Sequence, residues 1–316
     1  MLHLRVVCPA EHTSEVLTAI AAHPGAAHVT LVRGAAVDPD GTSTGDLVSA
    51  DVAREAADEL IEALCASGVD HVGGITVTPI DTALSDAADE AERAAPGDGA
   101  DAVVWQELLA RTGDESRLTA TFQAFLVLAC LLAAVGVITD SPVTIVGAMV
   151  VGPEFGPLAA VAVGLVCRNR RLVRRGGLAL AVGFPLAIAV TAGLTVLGEW
   201  AGLFDSTAMR VNDQVDFVYQ VGPWSLIVAL LAGAAGMLSM TSAKSTALIG
   251  VFISVTTVPA AGYAAVAAVL GQWDRGLASL GQLAVNLVGI VVAGLVVLVL
   301  RPKGRPARSA RPLTEG

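Results

Sequence analysis

The stretch that most constrains this chain is Thr144–Leu165, an apolar run long enough to cross a lipid bilayer. Its middle is interrupted by six residues: Gly152, Pro153, Glu154, Phe155, Gly156 and Pro157. Glycine and proline weaken or break the helical hydrogen-bond ladder, and irregular backbone at membrane depth persists only where it is buried in protein or lines a cavity. An ionisable residue such as Glu154 is costly there and is by default a functional-site hypothesis.

Charge is divided unevenly along the 316 residues. Residues 1–117 hold 21 acidic and six basic residues, whereas residues 118–316 hold eight acidic and 13 basic residues. This asymmetry predicts an acidic soluble part followed by a membrane part. The acidic part argues against nucleic acid as a partner, because phosphate binding needs a basic patch.

The N-terminus and the cysteines indicate a cytosolic setting for the soluble part. The first residues, Met1–Thr13, lack the basic region and long apolar core of a signal peptide. The four cysteines form no CxxC pair, which is typical of isolated, reduced, buried thiols. They are Cys8, Cys65, Cys130 and Cys167.

Residues 1–80 predict a small α+β domain. The pattern gives strands over Leu2–Pro9, Ala27–Val37, Asp46–Ala53 and His71–Ile80, and helices over Glu11–His23 and Arg54–Ser67. The order β-α-β-β-α-β is that of a ferredoxin-like domain. Because this fold hosts many functions, the order leaves open a regulatory or oligomerising module and a purely structural cap.

All five histidines lie in this domain: His3, His12, His23, His28 and His71. With Cys8 they form a candidate metal or pH sensor, although only His23 and His28 have a ligand-like spacing. The alternative is that they are ordinary histidines of a soluble domain.

Residues 81–117 predict a helical connector. Asp81–Ala95 is rich in Ala, Asp and Glu and is typical of an exposed helix, which Pro96-Gly97 ends. Asp101–Arg111 then carries an apolar stripe with Trp105. Such a stripe suits a helix at the membrane surface or one packed on a neighbouring helix.

Residues 118–300 predict six membrane spans of about 20 residues each. The spans are Thr121–Thr139, Val143–Val166, Gly176–Leu197, Trp224–Met240, Thr246–Leu270 and Leu277–Leu300. The basic residues concentrate between spans two and three, at Lys244 and after span six, in residues 301–316. By the positive-inside rule, we expect an inner-membrane protein with both termini, including this basic C-terminal tail, on the cytoplasmic side.

Two halves of three spans each predict an inverted repeat. Ile145-Val146-Gly147 matches Leu248-Ile249-Gly250 with an offset of 103, and Pro157 matches Pro259 with an offset of 102. An odd number of spans per half places the halves in opposite orientations, as in many secondary transporters, whose sites lie between broken helices.

The expected site therefore lies between Gly152–Pro157 and Ser254–Pro259. Ser254, Thr256, Thr257 and Pro259 contribute from the second break, and Asn286 lies inside span six. Each hydroxyl alone is more often bonded to its own helix, and Asn286 alone is more often an interhelical hydrogen bond. Glu154 has the strongest functional claim, as a group that takes up a proton or holds a cation, while half-helix N-termini favour an anionic group.

Asp140–Leu158, DSPVTIVGAMVVGPEFGPL, resembles the signature of the bacterial and archaeal family called domain of unknown function 389. Leu248–Ala267, Leu283–Ile290 and Glu107–Leu118 are also similar to segments of that family. The resemblance implies a multi-span inner-membrane protein. In the family a leucine commonly stands at the position of Glu154, and paired prolines stand where this chain has Pro259 and Ala260, which ties a Glu-centred mechanism to this member or its subgroup.

These features predict a transporter or channel for a small solute or ion, a proton included, in the lipid bilayer. The soluble domain then regulates or assembles it. Small-residue faces such as Gly233–Gly236 permit close helix packing, either within one chain or between the protomers of a homo-oligomer. The alternative is a membrane-anchored sensor whose soluble domain binds the signal. An enzyme is not expected, because no GxSxG, HExxH or paired carboxylates are present, and no cofactor is expected.

Overall fold

The computed structural model describes residues 1–95, 102–204, 218, 222–242 and 256–301. Over these residues the protein is mostly helical, with one small antiparallel sheet near the N-terminus. The chain divides into two compact units whose main segments are Met1–Leu108 for the first, and Leu109–Met240 with Lys244–Arg301 for the second. The division falls inside a helix of the segment predicted as a connector.

The first unit has the predicted order of strands and helices. Its elements are β1 (Leu2–Cys8), α1 (Thr13–Ala21), β2 (Ala26–Val37), β3 (Ser43–Val52), α2 (Ala57–Ala66), the single turn α3 (Val69–Val72), β4 (Gly74–Pro79) and α4 (Asp86–Ala94). The next helix, α5 (Trp105–Glu115), begins in this unit. β4 starts three residues later than expected because Val69–Val72 forms a helical turn.

The four strands form one sheet in the order β2-β3-β1-β4, with every neighbouring pair antiparallel. β1 is central, and its alternate residues are buried against α1 and α2: Leu2, Leu4, Val6 and Cys8. This alternation is the period-two pattern of a strand with one buried face. It buries enough apolar surface to give the first unit a core of its own.

The start of α5 is anchored in the first unit. The Trp105 backbone N–H donates to both carboxylate oxygens of Asp58, at 3.0 and 3.2 Å. Arg54 Nη2 donates to Glu107 Oε2 at 3.0 Å. Burial raises the pKa of Asp58 to about 6, because removing a carboxylate from water disfavours its charged form.

The second unit is helical. After the end of α5, its described helices are α6 (Ala120–Ile138), α7 (Pro142–Val151), α8 (Phe155–Val166), α9 (Arg170–Trp200), α10 (Pro223–Thr241), α11 (Thr257–Val269) and α12 (Trp273–Leu300). Residues 205–217, 219–221 and 243–255 lie outside the described residues, so α10 and α11 are described without the segments that lead into them.

Four described helices are long and apolar enough to cross a membrane: α6, α9, α10 and α12. α7 and α8 together make a fifth candidate, with a bend of 52° at the break between them. α11 has 13 residues and rises only about 20 Å, less than the ~30 Å hydrocarbon core. The predicted span Thr246–Leu270 includes α11, but residues 246–255 lie outside the described residues. Six spans therefore remain a prediction.

The outer surface of these helices is apolar. On α9 the exposed side chains recur every four residues along one face: Leu178, Val182, Leu186, Val190 and Leu194. Water is an unfavourable environment for such an apolar stripe, whereas the hydrocarbon core of a bilayer is a favourable one. The second unit is thus compatible with a membrane protein.

Candidate functional site

The predicted break lies between α7 and α8. Gly152 has extended backbone angles (φ −64°, ψ 129°), which end α7. The cause is Pro153, because a proline disfavours helical geometry at the residue before it. Glu154 then returns to helical angles and serves as the N-cap residue of α8.

Glu154 is buried, with only 5% of its surface exposed. Its carboxylate does not cap its own helix. Instead, Oε1 accepts a hydrogen bond of 2.5 Å from the Thr257 hydroxyl, at the first residue of α11. Glu154 Oε2 is buried and has no hydrogen-bond partner among the described residues. The Glu154 side chain therefore connects the start of α8 to the start of α11, and its Oε2 has no partner among the described residues.

Gly152 leaves the space that this carboxylate occupies. A Cβ added at Gly152 would overlap Glu154 Oε2 and would lie 2.7 Å from Val258 Cγ2. No larger residue fits at this position unless both the Glu154 carboxylate and the Val258 side chain move.

The N-termini of α8 and α11 meet from opposite directions. α8 continues from α7 away from the turn at Asp140 that follows α6. α11 runs toward that turn, since Val266 and Ala267 near its end pack with Val137 and Ile145 beside it. Because a helix N-terminus carries a partial positive charge, the two positive ends face one another across Glu154 and Thr257.

A polar chain extends this site into α12. Asn286 Nδ2 donates to Thr256 Oγ1 at 2.8 Å, and Gln282 Nε2 donates to Asn286 Oδ1 at 3.4 Å. Thr256 is the N-cap residue of α11, and its side chain makes no cap hydrogen bond. Gln282 Oε1 is buried and has no partner among the described residues.

Comparison with known proteins agrees with the resemblance seen in the sequence. Residues 149–292 match the family model described as Domain of unknown function (DUF389). Residues 149–292 belong to this family. The matched part contains the break, α8, the described part of α11 and the polar residues of α12.

A relative of this chain is a protein of Methanocaldococcus jannaschii named Uncharacterized protein MJ0678. The two are 23% identical over 195 residues, which cover 62% of this chain and 58% of the relative. The chain thus spans somewhat more than half the length of that relative. No solved structure matches.

The candidate site brings together five of the residues predicted from the sequence: Gly152, Glu154, Thr256, Thr257 and Asn286. Pro153 creates the break. Pro157 is the third residue of α8 and Pro259 is the third residue of α11. Ser254 lies outside the described residues.

Two residues of α5 near the candidate site, Arg111 and Glu115, were not predicted from the sequence. Gly156 packs against Glu115, whose Cβ would lie 2.7 Å from a Cβ added at Gly156. Glu115 Oε1 accepts from Arg111 Nε at 3.0 Å, and both side chains are about 40% exposed. A partly exposed ion pair therefore lies beside the first turn of α8, two residues from Glu154. The only sequence signal was the i,i+4 spacing of opposite charges.

Gln282 was also missed. It lies one helical turn before Asn286 on α12, so the polar i,i+4 pair inside an apolar span was the available signal. Ser279, one turn earlier again, donates to the Ala260 carbonyl of α11 at 2.8 Å.

The histidines do not gather into a metal site. No group of three or more His, Cys, Asp or Glu side chains suited to a metal occurs in the described parts of the chain. Instead, His3 and His28 bond the two oxygens of Asp51, each at 2.8 Å, and His28 Nε2 lies 2.8 Å from Ser85 Oγ. Burial alone would raise the pKa of Asp51, but the two imidazoles hold it below its ordinary value.

Proposed function

We propose that this protein is a membrane transporter or channel for a small solute or ion, with its site where the N-termini of α8 and α11 meet. The observation that carries the proposal is the buried Glu154 carboxylate, bonded to Thr257 and provided with one unpartnered oxygen in the described structure. A buried acid without a cation partner is a poor structural element, because its charged form is strongly disfavoured by desolvation.

The inverted repeat is part of this proposal, and equivalent turns support it. Asn169 N–H bonds the Gly164 carbonyl between α8 and α9, and Gln272 N–H bonds the Ala267 carbonyl between α11 and α12, each at 2.8 Å. These pairs are separated by 103 residues. The α6–α7 turn is closed in the same way, so the turn is not sufficient evidence by itself.

Equivalent packing gives the repeat more specific support. A Cβ added at Gly176 of α9 would lie 2.5 Å from the Pro157 carbonyl of α8. Ser279 of α12 donates to the Ala260 carbonyl of α11, and both residues lie 103 positions further on. α8 also packs along α12, as α11 packs along α9. A two-fold relation between the halves accounts for these matches.

The repeat implies a six-span protein of the inner membrane, with both termini on the cytoplasmic side. The first unit then regulates or assembles the transporter. Exposed apolar faces, such as the stripe on α9, contact lipid or a second copy of the chain.

The test of transport uses the full chain in sealed proteoliposomes. Proton entry is followed with a trapped pH dye for wild type, Glu154→Gln and Gly147→Ala. A Cβ added at Gly147 meets nothing within 4 Å, so this variant controls for reconstitution. We expect flux in wild type and Gly147→Ala and its loss in Glu154→Gln. Equal flux in all three would reject Glu154 as the ion-handling group.

The second candidate function, a membrane-anchored sensor, is favoured by one observation. His3 and His28 bracket Asp51, and His28 also contacts Ser85, the N-cap residue of α4. Histidine changes charge near neutral pH, so this cluster offers a link between pH and the start of α4. If Asp51→Asn left the pH dependence of flux and of α4 hydrogen exchange unchanged, the sensor candidate would be rejected.

A further inference from the structure

We propose that Ser85, His28 and Asp51 form a catalytic triad in the first unit, and that this triad hydrolyses small esters through an acyl group carried on Ser85. The inference goes beyond the proposed transport function and does not depend on it. The three residues come from the start of α4, from β2 and from β3. Sequence motifs do not indicate such a site, since a triad is recognised by its geometry and not by the spacing of its residues.

The hydrogen bonds of His28 provide the first part of the argument. Its Nδ1 lies 2.8 Å from Asp51 Oδ2, and its Nε2 lies 2.8 Å from Ser85 Oγ. An ionised carboxylate only accepts hydrogen bonds, so Nδ1 carries the hydrogen, and Nε2 of the neutral ring accepts from the Ser85 hydroxyl. This is the arrangement that a serine nucleophile needs, with a base beside the hydroxyl and a carboxylate that orients the base.

The backbone of His28 provides the second part. Its φ is +50°, in the left-handed region that residues other than glycine rarely adopt. The residue lies where the register of β2 on β3 shifts, between Ala27 and Thr30. In regular pairing only Ala27 would share the face of Asp51, and the irregularity re-aims His28 toward that carboxylate. Strained backbone of this kind is concentrated at functional sites.

The orientation of Ser85 provides the third part. Ser85 is the N-cap residue of α4, where a serine hydroxyl ordinarily bonds a backbone N–H of the first turn. Its side chain makes no such cap bond and lies against His28 instead. The positive end of the α4 dipole begins at this same residue, and it favours the negative charge that develops when the hydroxyl attacks a carbonyl group.

Asp51 is held in its ionised form by a second imidazole. His3 Nδ1 lies 2.8 Å from Asp51 Oδ1, so each carboxylate oxygen has an imidazole partner. Burial alone would raise the pKa of Asp51, but the bonds from His3 and His28 keep it below its ordinary value. Asp51 therefore acts as a positioning residue, because it orients His28 and does not touch the ester.

The reaction follows from these contacts. Ser85 Oγ attacks the carbonyl carbon of the ester, and its proton passes to His28 Nε2. The bond from that carbon to the leaving alcohol then breaks, and the alcohol takes the proton from Nε2. In the second half, water attacks the acyl-serine and gives a proton to Nε2. The Ser85 oxygen leaves with that proton, and the carboxylic acid is released.

The surroundings of the triad indicate which esters it accepts. The His28 side chain is 43% exposed, so a small solute reaches the triad from solution. Leu84, directly before Ser85, is 94% exposed and offers an apolar contact for an acyl chain. Asp86 and Asp89 add negative charge in the first turn of α4, which disfavours anionic substrates. The expected substrate is an ester with a short apolar acyl chain and no negative charge.

A fluorophosphonate probe tests the triad, because the oxygen of an activated serine displaces its fluoride. The full chain in detergent is labelled, and the modified residue is located by peptide mass spectrometry. The variants are Ser85→Ala, His28→Asn and Asp51→Asn, and Ser14→Ala changes an exposed serine of α1 as the control. Asparagine suits position 28, since it tolerates a positive φ.

We expect the label on Ser85 in wild type and in Ser14→Ala, and its loss in Ser85→Ala. Removal of the base in His28→Asn should slow labelling by about 10²–10⁴-fold. Asp51→Asn should lower the maximal labelling rate at least about tenfold and leave the half-saturating probe concentration unchanged, because the wrong ring nitrogen then carries the hydrogen.

Label on other serines but not on Ser85 would overturn the proposal, and this mapping needs only the wild-type protein. Equal labelling rates in wild type and His28→Asn would also overturn it, since the imidazole would not be activating the hydroxyl. Turnover is then measured as the difference between wild type and Ser85→Ala, which removes hydrolysis by other imidazoles. This difference should be larger for 4-nitrophenyl butyrate than for the anionic mono-4-nitrophenyl succinate, and the opposite preference would overturn the substrate class.

Discussion

Gly152→Ala tests the geometry of the site by adding a single methyl group. The backbone of Gly152 is extended, with φ −64° and ψ 129°, which alanine adopts without strain. The new Cβ, however, would overlap Glu154 Oε2 and lie 2.7 Å from Val258 Cγ2. Val258 can shift by a few tenths of an ångström, but the carboxylate has to leave its position, which breaks the hydrogen bond from Thr257.

The expected loss of stability follows from two effects. Forcing an extra methyl group into a packed interior costs about 1–3 kcal/mol. Losing a hydrogen bond to a buried carboxylate costs about 1.5–3 kcal/mol. The lower backbone entropy of alanine in the unfolded chain offsets about 0.4–1 kcal/mol. A net loss of about 2–4 kcal/mol corresponds to a Tm lower by about 5–12 °C for a unit of this size.

Thermal unfolding of the full chain in detergent measures this loss. Gly147→Ala is the matched control, since it lies in α7 and its added Cβ meets nothing within 4 Å. It should stabilise by about 0.5–1 kcal/mol, as alanine does in a helix. The double variant Gly152→Ala, Glu154→Ala should recover at least half of the Gly152→Ala loss, because the group that clashes is gone. An unchanged loss in the double variant would refute the placement of the carboxylate against Gly152.

Three further perturbations test other contacts. Thr257→Val removes the donor to Glu154 and should lower the Tm by several degrees more than Thr257→Ser, which keeps the hydroxyl; equal shifts would contradict the hydrogen bond. Gly233→Ala should destabilise by about 1–3 kcal/mol in thermal unfolding, because its Cβ would lie 2.6 Å from the Ile290 backbone. For Asp58 the folded pKa, about 6, exceeds the ordinary 3.8, so the folded state binds the extra proton between these values. Its contribution to stability is present below pH ~4 and is lost as pH rises through ~6. The free energy of unfolding, measured at pH ~4.5 and ~7.5, should therefore fall less with rising pH in Asp58→Asn than in wild type. An identical pH dependence in both proteins would contradict the raised pKa of Asp58.

Local signals in the sequence were sufficient for the break and for the strands. Pro153 acts on its immediate neighbour Gly152, so the end of α7 follows from adjacent residues. The alternation from Leu2 to Cys8 likewise predicts β1, because period-two burial is a local pattern. The start of β4 was misplaced by three residues, since the turn at Val69–Val72 depends on how Gly73 packs on β1.

Contacts between distant segments could not be obtained from one sequence. The Glu154–Thr257 bond joins residues 103 positions apart, and hydropathy carries no information on which residues of two apolar helices face each other. Glu115 was missed for the same reason, because its contact with Gly156 depends on where the end of α5 lies. The predicted repeat placed Gly152–Pro157 opposite Ser254–Pro259, but it did not identify Thr257 as the donor to Glu154, which came from the structure.

α8 and α11 share a further feature at their starts. Each first turn has a proline as its third residue, Pro157 in α8 and Pro259 in α11. Proline has no N–H, so it removes one of the donors that a helix start leaves without an intrahelical acceptor. A proline in the first turn therefore costs neither helix a hydrogen bond, and its fixed φ favours the helical geometry that α8 adopts directly after the break.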